Sequence, residues 1–137
     1  MRTTDDVRLG PIGQIAVNAR DLERAVRFYR DTLGMKLLFQ VPQMAFFDCG
    51  GVRLMLGLAS EPAFDHPASV IYYRVPDIRA AHRALAGREV EFTSPPHFVA
   101  KLPDHELWLA FFRDPEGNTL ALMSEVRDVT LASGDHR

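Results

Sequence analysis

Apolar positions recur with two different periods along this chain, and the two periods predict helices alternating with short strands. A short apolar run at Ile12–Asn18 precedes a segment, 21–32, whose apolar residues lie three or four positions apart, as on one buried helical face. That helix is expected to begin at Asp21, a favourable N-cap, and to stop before Gly34. Three strands should follow it, at 35–41, 44–48 and 52–58.

The second half of the chain repeats this order of elements. A strand at 69–75 leads to a helix at 77–86, and three more strands are expected at 91–100, 107–113 and 118–125. The pattern D-x-x-G-x-x-L-x-L also occurs twice, starting at Asp48 and at Asp114. The repeated order of elements and the repeated motif together indicate two copies of one βαβββ unit, and so an α+β fold.

Length and composition place these elements in a single domain. We expect one domain over 1–137, with a first module at 10–60, a second at 67–126 and polar tails at 1–9 and 127–137. The chain is 47% apolar, which is enough for a packed core. Its formal charge of −2 argues against a nucleic-acid partner, whose binding surface would be basic.

Targeting signals and cysteine content suggest where the protein works. Apolar runs are too short to cross a bilayer, and the first residues lack an apolar signal segment. Cys49 is the single cysteine, so an internal disulfide is excluded. We therefore expect no membrane partner and a cytoplasmic, reducing environment.

Three stretches of the chain carry a family resemblance. The strand at Gln14–Val17, the helix start at Asp21–Ala25 and the hairpin at Phe111–Asn118 resemble the vicinal oxygen chelate superfamily. That superfamily includes glyoxalase I, bleomycin-resistance proteins and extradiol dioxygenases. The resemblance covers about residues 10–125 and implies two βαβββ modules forming curled mixed sheets around a cavity, usually in a homodimer. It says little about the reaction, because one fold hosts many functions.

Metal-binding positions are where the chain departs from the superfamily's enzymes. Those enzymes hold a divalent metal through two side chains per module, and the matching positions here carry Gln14, Met55, Val70 and Ala121. Valine and alanine have no donor atom, and a thioether is a soft ligand. We therefore expect no metal and no cofactor, and whether the chain is an enzyme stays open.

Strand parity predicts what takes the place of the metal. Leu54, Leu56, Leu120 and Leu122 should face the helices, which turns their neighbours toward the concave side. The resemblance to bleomycin-resistance proteins then predicts a small-molecule ligand in an apolar pocket. The candidate ligand-binding residues are Gln14, Met55, Tyr72, Trp108 and Met123. The same pattern also fits a filled core, as in a purely structural or regulatory dimer.

The segment His97–Trp108 concentrates the remaining chemistry. His97 and His105 are candidate acid–base groups near neutral pH, and Asp104 could orient one of them. These three candidate catalytic residues give the alternative of a lyase, an isomerase or a dioxygenase-like enzyme, or of an unorthodox metal site. The same segment also fits a hairpin loop with exposed charges.

Overall fold

The computed structural model describes residues 7–59 and 62–127 and confirms an α+β fold of two sheets. Its helices are α1 (Leu22–Arg27), which continues as a π-helical turn at Phe28–Thr32, and α2 (Ile78–Gly87). The described strands are β1 (Gln14–Asn18), β2 (Lys36–Val41), β3 (Met44–Cys49), β4 (Val52–Gly57), β5 (Ile71–Arg74), β6 (Glu91–Phe92), β7 (His97–Lys101), β8 (His105–Arg113) and β9 (Thr119–Arg127).

The two sheets have matching topologies, as the sequence repeat predicts. Sheet 1 has the strand order β1-β4-β3-β2, and sheet 2 has the order β5-β9-β8-β6, with β7 also paired to β8. In each sheet the first strand is parallel to the last strand of its module, and the other pairs are antiparallel. The parallel pair places the helix between its two strands along the chain, as a βαβ crossover requires.

One predicted strand is wrong. The segment 91–100 does not form one strand but two, β6 and β7, which pair with different parts of β8. Pro95 and Pro96 lie between them, and proline has no backbone N–H to donate to the ladder. The last described strand, β9, extends to Arg127, which is the first residue of the predicted tail. The rest of that tail and residues 1–6 lie outside the described residues.

Both helices begin at the aspartates that the sequence indicates. The Asp21 side chain accepts a hydrogen bond from the backbone N–H of Arg24 at 3.1 Å. The Asp77 side chain accepts from the N–H groups of Arg79 and Ala80, each at 3.1 Å. These bonds satisfy donors that a helix start otherwise leaves unpaired. Within the described ranges, no helix is long and apolar enough to span a membrane.

A single core lies on the helix side of both sheets. The leucines that parity assigns to this side are buried, which confirms the predicted parity: Leu54, Leu56, Leu120 and Leu122 are each at most 3% exposed. Phe47 and Phe112 pack into the same core, together with Tyr29 from the turn after α1. The opposite side of each sheet, which we call its open face, is left out of this core.

The two modules are joined by polar contacts at the β8–β9 turn. The Tyr29 hydroxyl donates to Oδ2 of Asp114 at 2.8 Å. Burial and the Asp114 carboxylate raise the pKa of Tyr29, which keeps this hydroxyl a donor. Glu116 accepts from the backbone N–H groups of Arg20 and Asp21 at 2.8 and 3.0 Å. Burial of Glu116 opposes ionisation, but these bonds outweigh it and hold the pKa of that carboxyl below its usual range.

Candidate functional site

The open face of sheet 1 begins with a polar row of side chains. Gln14, Arg53, Asp48 and Lys36 lie side by side across the four strands. Nε of Arg53 donates to Oε1 of Gln14 at 2.8 Å. The Arg53 guanidinium carbon also lies 5.4 Å from the ring centroid of Phe46, within range of a cation–π contact. The guanidinium is therefore held by two contacts at the edge of the face.

An apolar row follows one step along the same face. Phe39, Phe46, Met55 and Ala16 occupy neighbouring positions across the strands. The rings of Phe39 and Phe46 are stacked at 4.5 Å with 24° between their planes. Phe39 is nevertheless 49% exposed. The row thus presents aromatic surface to the outside of the single chain.

A groove continues this row toward the segment that links the modules. Its volume is about 330 Å³, and its walls include Ala16, Met55, Phe64 and His66. The side-chain amide of Asn18 donates to the backbone carbonyls of Phe64 and His66 at 2.6 and 3.1 Å, which holds the linking segment against sheet 1. A volume of this size suits a small organic molecule.

The open face of sheet 2 is aromatic as well. Tyr72 meets Phe111 edge to face at 6.1 Å, and it is 47% exposed. The His97 ring lies 6.2 Å from Phe111. The next row contains Met123, Leu109 and His97. Leu109 of β8 pairs with Met123 on one side and with His97 on the other. The structure therefore brings Tyr72, Met123 and His97 together on one face.

His97 is held in one tautomer. Its Nδ1 lies 2.8 Å from the backbone carbonyl of Pro95. A carbonyl only accepts hydrogen bonds, so Nδ1 carries the proton and Nε2 of the neutral ring keeps its lone pair. That arrangement leaves Nε2 available as a base, on a ring whose neighbour is Phe111.

His105 and Asp104 lie apart from this group. They form their own pair, with 2.7 Å between Nδ1 of His105 and Oδ1 of Asp104. The hydrogen bond from His105 holds the pKa of the Asp104 carboxyl below its usual range. His97 pairs with Leu109 of β8, and His105 lies four residues, or about 13 Å, from Leu109 along that strand. Asp104 thus contacts one of the two histidines, His105, and the three residues do not converge on a shared metal site.

Trp108 does not line the same wall as Tyr72 and Met123. It shares a side of β8 with Ala110 and Phe112, which are buried in the core. Its ring lies 5.0 Å from the guanidinium carbon of Arg79 in α2, and its Nε1 donates to Glu106 at 3.1 Å. The prediction that Trp108 walls the concave pocket is wrong, because its strand parity turns it toward the helix side.

The positions matched to the superfamily's metal site do not fit a divalent ion. Gln14 and Met55 are neighbours, with 3.8 Å between Nε2 and Sδ, whereas Val70 precedes β5 and Ala121 is buried beside Tyr72. The one hard donor, Oε1 of Gln14, already accepts from Arg53. An ion bound to that oxygen would lie within about 5 Å of the guanidinium. Repulsion between the ion and the positive guanidinium would therefore oppose metal binding at this oxygen.

Other histidine, cysteine and carboxylate groups do not replace that site. In the part of the chain that the structure describes, no group of three such residues is placed to hold a metal ion. Among the described residues, no hydrogen bond joins the Cys49 thiol to a base that would activate it. Burial, with a smaller contribution from Asp48, raises the pKa of its thiol, which disfavours the nucleophilic thiolate.

A separate apolar cavity lies on the helix side, between the two modules. Its volume is about 350 Å³, and Leu33, Met35, Tyr73 and Leu85 are among its walls. The Tyr73 hydroxyl is buried without a hydrogen-bond partner among the described residues. Ala84 of α2 also lines this cavity, so a larger side chain there would fill it. None of the open-face residues named above lines this cavity.

Sequence reasoning identified the side of each strand more reliably than the contacts on it. Parity placed Arg53 on the open face, but it gave no sign of the bond to Gln14, which joins strands 39 residues apart. Phe46 and Phe111 belong to Phe-Phe pairs, in which alternation cannot say which ring faces outward. The register of β3 and β8 decides both cases.

Known proteins resemble this chain in sequence and in fold. Residues 11–122 match the family model of the Glyoxalase/Bleomycin resistance protein/Dioxygenase superfamily. A glyoxylase-like domain-containing protein of Didymella fabae is 31% identical over an alignment of 123 residues, and the match covers 82% of this chain and 92% of that protein. The crystal structure of a superfamily member from Sphaerobacter thermophilus has a TM-score of 0.71 at 27% identity, over 85% of this chain and 98% of that one. A lactoylglutathione lyase from Agrobacterium tumefaciens has a TM-score of 0.65 at 24% identity, over 85% and 94% of the two chains, which is a likeness of fold alone.

Proposed function

Because this chain belongs to the Glyoxalase/Bleomycin resistance protein/Dioxygenase superfamily, we propose that it binds a small, flat organic molecule on its open sheet faces. The observation that carries the proposal is the aromatic surface left uncovered there. Phe39 and Tyr72 are 49% and 47% exposed, although each belongs to a row of aromatic side chains. Large apolar side chains grouped on a surface mark a site where something else binds.

The geometry of these rows favours a planar ligand. Phe39 and Phe46 are already stacked, and the exposed ring of Phe39 extends that stack. Stacked or edge-to-face aromatic pairs add about 1 kcal/mol each beyond the area that they bury. Met55 and Met123 add polarisable, adaptable side chains that suit an irregular ligand. A sequestering function needs only this binding, without a chemical step.

The proposal includes the absence of the superfamily's metal. Support comes from the donor set, since Gln14 is bonded to a guanidinium and Met55 offers only sulfur. The ligand would be recognised by apolar contact and hydrogen bonds rather than by chelation.

An uncharged fluorescent probe tests the binding site directly. N-phenylnaphthylamine, a flat and neutral molecule, is expected to bind the wild-type chain with a rise in its fluorescence. Ala16→Trp should abolish that binding, because it fills the groove beside Met55. Ala84→Trp is the matched control, because it adds the same side chain to the cavity on the helix side. Loss of binding in Ala84→Trp alone would move the site to that cavity. Unchanged binding in both variants, or no binding to the wild-type chain, would refute the proposal.

A second copy of this chain is proposed to cover the open faces around the ligand. The exposed rows are apolar, and removing them from water favours association. Burying a side chain of the size of Tyr72 contributes about 2 kcal/mol to the free energy of association. We expect sedimentation equilibrium to give twice the 15.4 kDa of one chain. Tyr72→Asp should shift the protein toward the single-chain mass, whereas Arg83→Asp on the exposed side of α2 should not. A single-chain mass for the wild type at every concentration would contradict this part of the proposal.

A second candidate function is acid–base catalysis by His97. The observation that favours it is the fixed tautomer, which leaves Nε2 free as a base on the same open face. The lactoylglutathione lyase reaction is the assay to run first, given the fold shared with the Agrobacterium protein. Activity that His97→Ala abolishes and His105→Ala retains would favour this candidate over simple binding. Activity unchanged in His97→Ala would exclude His97 as the base.

A further inference from the structure

We propose that Arg53 and Gln14 bind an anionic group of the ligand, such as a carboxylate, at the polar edge of the open face of sheet 1. This inference rests on the proposed function and adds the class of molecule that the site prefers. The guanidinium lies beside the position that the resemblance assigns to a metal, so the local charge suits an anion and repels a cation.

The first step is the state of the guanidinium itself. Nε of Arg53 donates a hydrogen bond to Gln14, and the guanidinium group lies over the ring of Phe46. Among the described residues, Arg53 belongs to no ion pair, in contrast to Arg24, which pairs with Glu116 at 3.0 Å. Its Nη1 and Nη2 groups therefore keep donors in the fork arrangement that matches a carboxylate.

The surrounding charges leave the row positive. Lys36, Asp48 and Arg53 occupy the same row across sheet 1, so two positive groups face one negative group. Asp48 directs Oδ1 to the backbone N–H of Gly51 at 3.4 Å and does not approach Arg53 as an ion-pair partner. Among the described residues, the Nε2 group of Gln14 donates only to the weakly accepting sulfur of Met55, so it can serve as a further donor.

The spacing between the rows sets the shape of the ligand. The polar row and the aromatic row are two residues apart along each strand, or about 7 Å. A ring system packed on the exposed surface of this aromatic row would hold a carboxylate or sulfonate on its edge within reach of Arg53. The site therefore fits a flat aromatic acid better than the corresponding neutral molecule.

Two probes that differ in one anionic group test the inference. Anilinonaphthalene sulfonate has the ring system of N-phenylnaphthylamine with a sulfonate added. We expect the wild-type chain to bind the sulfonate more tightly, and Arg53→Gln to lower the ratio of the two affinities about tenfold. Arg53→Lys should lower it less, because lysine keeps the charge but loses the fork. Arg83→Gln, which removes one exposed positive charge from α2, should leave the ratio as in the wild type.

The outcomes separate this inference from the proposed function. If both probes bind through the groove but Arg53→Gln leaves their ratio unchanged, the anion site is refuted while the binding function stands. An equal fall in the ratio for Arg83→Gln would also refute it, since net charge alone would then account for the preference. If neither probe binds, both proposals fail together. Weakening of sulfonate binding by salt, with no change for the neutral probe, is expected from an exposed ion pair.

Discussion

Replacing Asp114 with alanine is expected to lower the free energy of unfolding by about 4 kcal/mol. This carboxylate is 6% exposed and accepts four hydrogen bonds. Oδ1 accepts from the backbone N–H groups of Glu116 and Asn118 at 2.9 and 2.8 Å, and Oδ2 accepts from the Asn118 amide and the Tyr29 hydroxyl at 2.9 and 2.8 Å. Alanine leaves these donors without their partner, and a buried unpaired donor costs about 1–3 kcal/mol. Urea unfolding, with an unchanged slope against denaturant, measures the loss.

Two variants show whether the carboxylate is responsible. Asp48 opens the repeated motif in the first module, but it is exposed, and within the described ranges its side chain accepts one long bond, from Gly51 at 3.4 Å. Asp48→Ala should therefore cost less than about 0.5 kcal/mol. Tyr29→Phe removes only the hydrogen bond from Tyr29 to Asp114, one of those that join the modules, and should cost about 1 kcal/mol. Equal losses for Asp114→Ala and Asp48→Ala would show that the turn geometry, rather than the buried bonds, stabilises the fold.

The comparison of these aspartates shows how far the repeat alone can lead. The shared motif correctly predicts two equivalent turns, because each needs an aspartate acceptor and a glycine with positive φ, as at Gly51 and Gly117. It cannot predict that the second turn packs against Tyr29 while the first faces solvent. That difference arises from how the modules dock, a contact between residues 85 positions apart.

The sides of the strands were predictable where one side is apolar and the other polar. In β4, Arg53 and Leu54 alternate clearly, so the buried leucines and the open face follow from the sequence. In β8 the residues from Leu107 to Phe112 are apolar on both sides, so alternation carries no information about Trp108. For that strand the face is decided by pairing with β9, where the adjacent position Leu109 lies opposite Met123.

Two truncations at adjacent positions of β3 are expected to affect different properties. Phe47→Ala should mainly lower stability, and Phe46→Ala should mainly weaken ligand binding. Phe47 is fully buried and lies 6.1 Å from the Tyr29 ring, so its truncation should cost about 4 kcal/mol through lost burial and the cavity left behind. Phe46 lies on the open face, stacked on Phe39 and beneath Arg53. Its truncation should cost less than about 1 kcal/mol, since much of its surface is not part of the core.

Probe binding should reverse that order. Phe46→Ala removes part of the stacking surface, so we expect about a tenfold loss of affinity for N-phenylnaphthylamine. Phe47→Ala, measured at a temperature where it remains folded, should bind the probe nearly as the wild type does. Urea unfolding and fluorescence titration of the same two preparations supply both quantities. If Phe46→Ala destabilises the chain as much as Phe47→Ala, the open face is packed like a core in solution, and a site for a small molecule there is excluded.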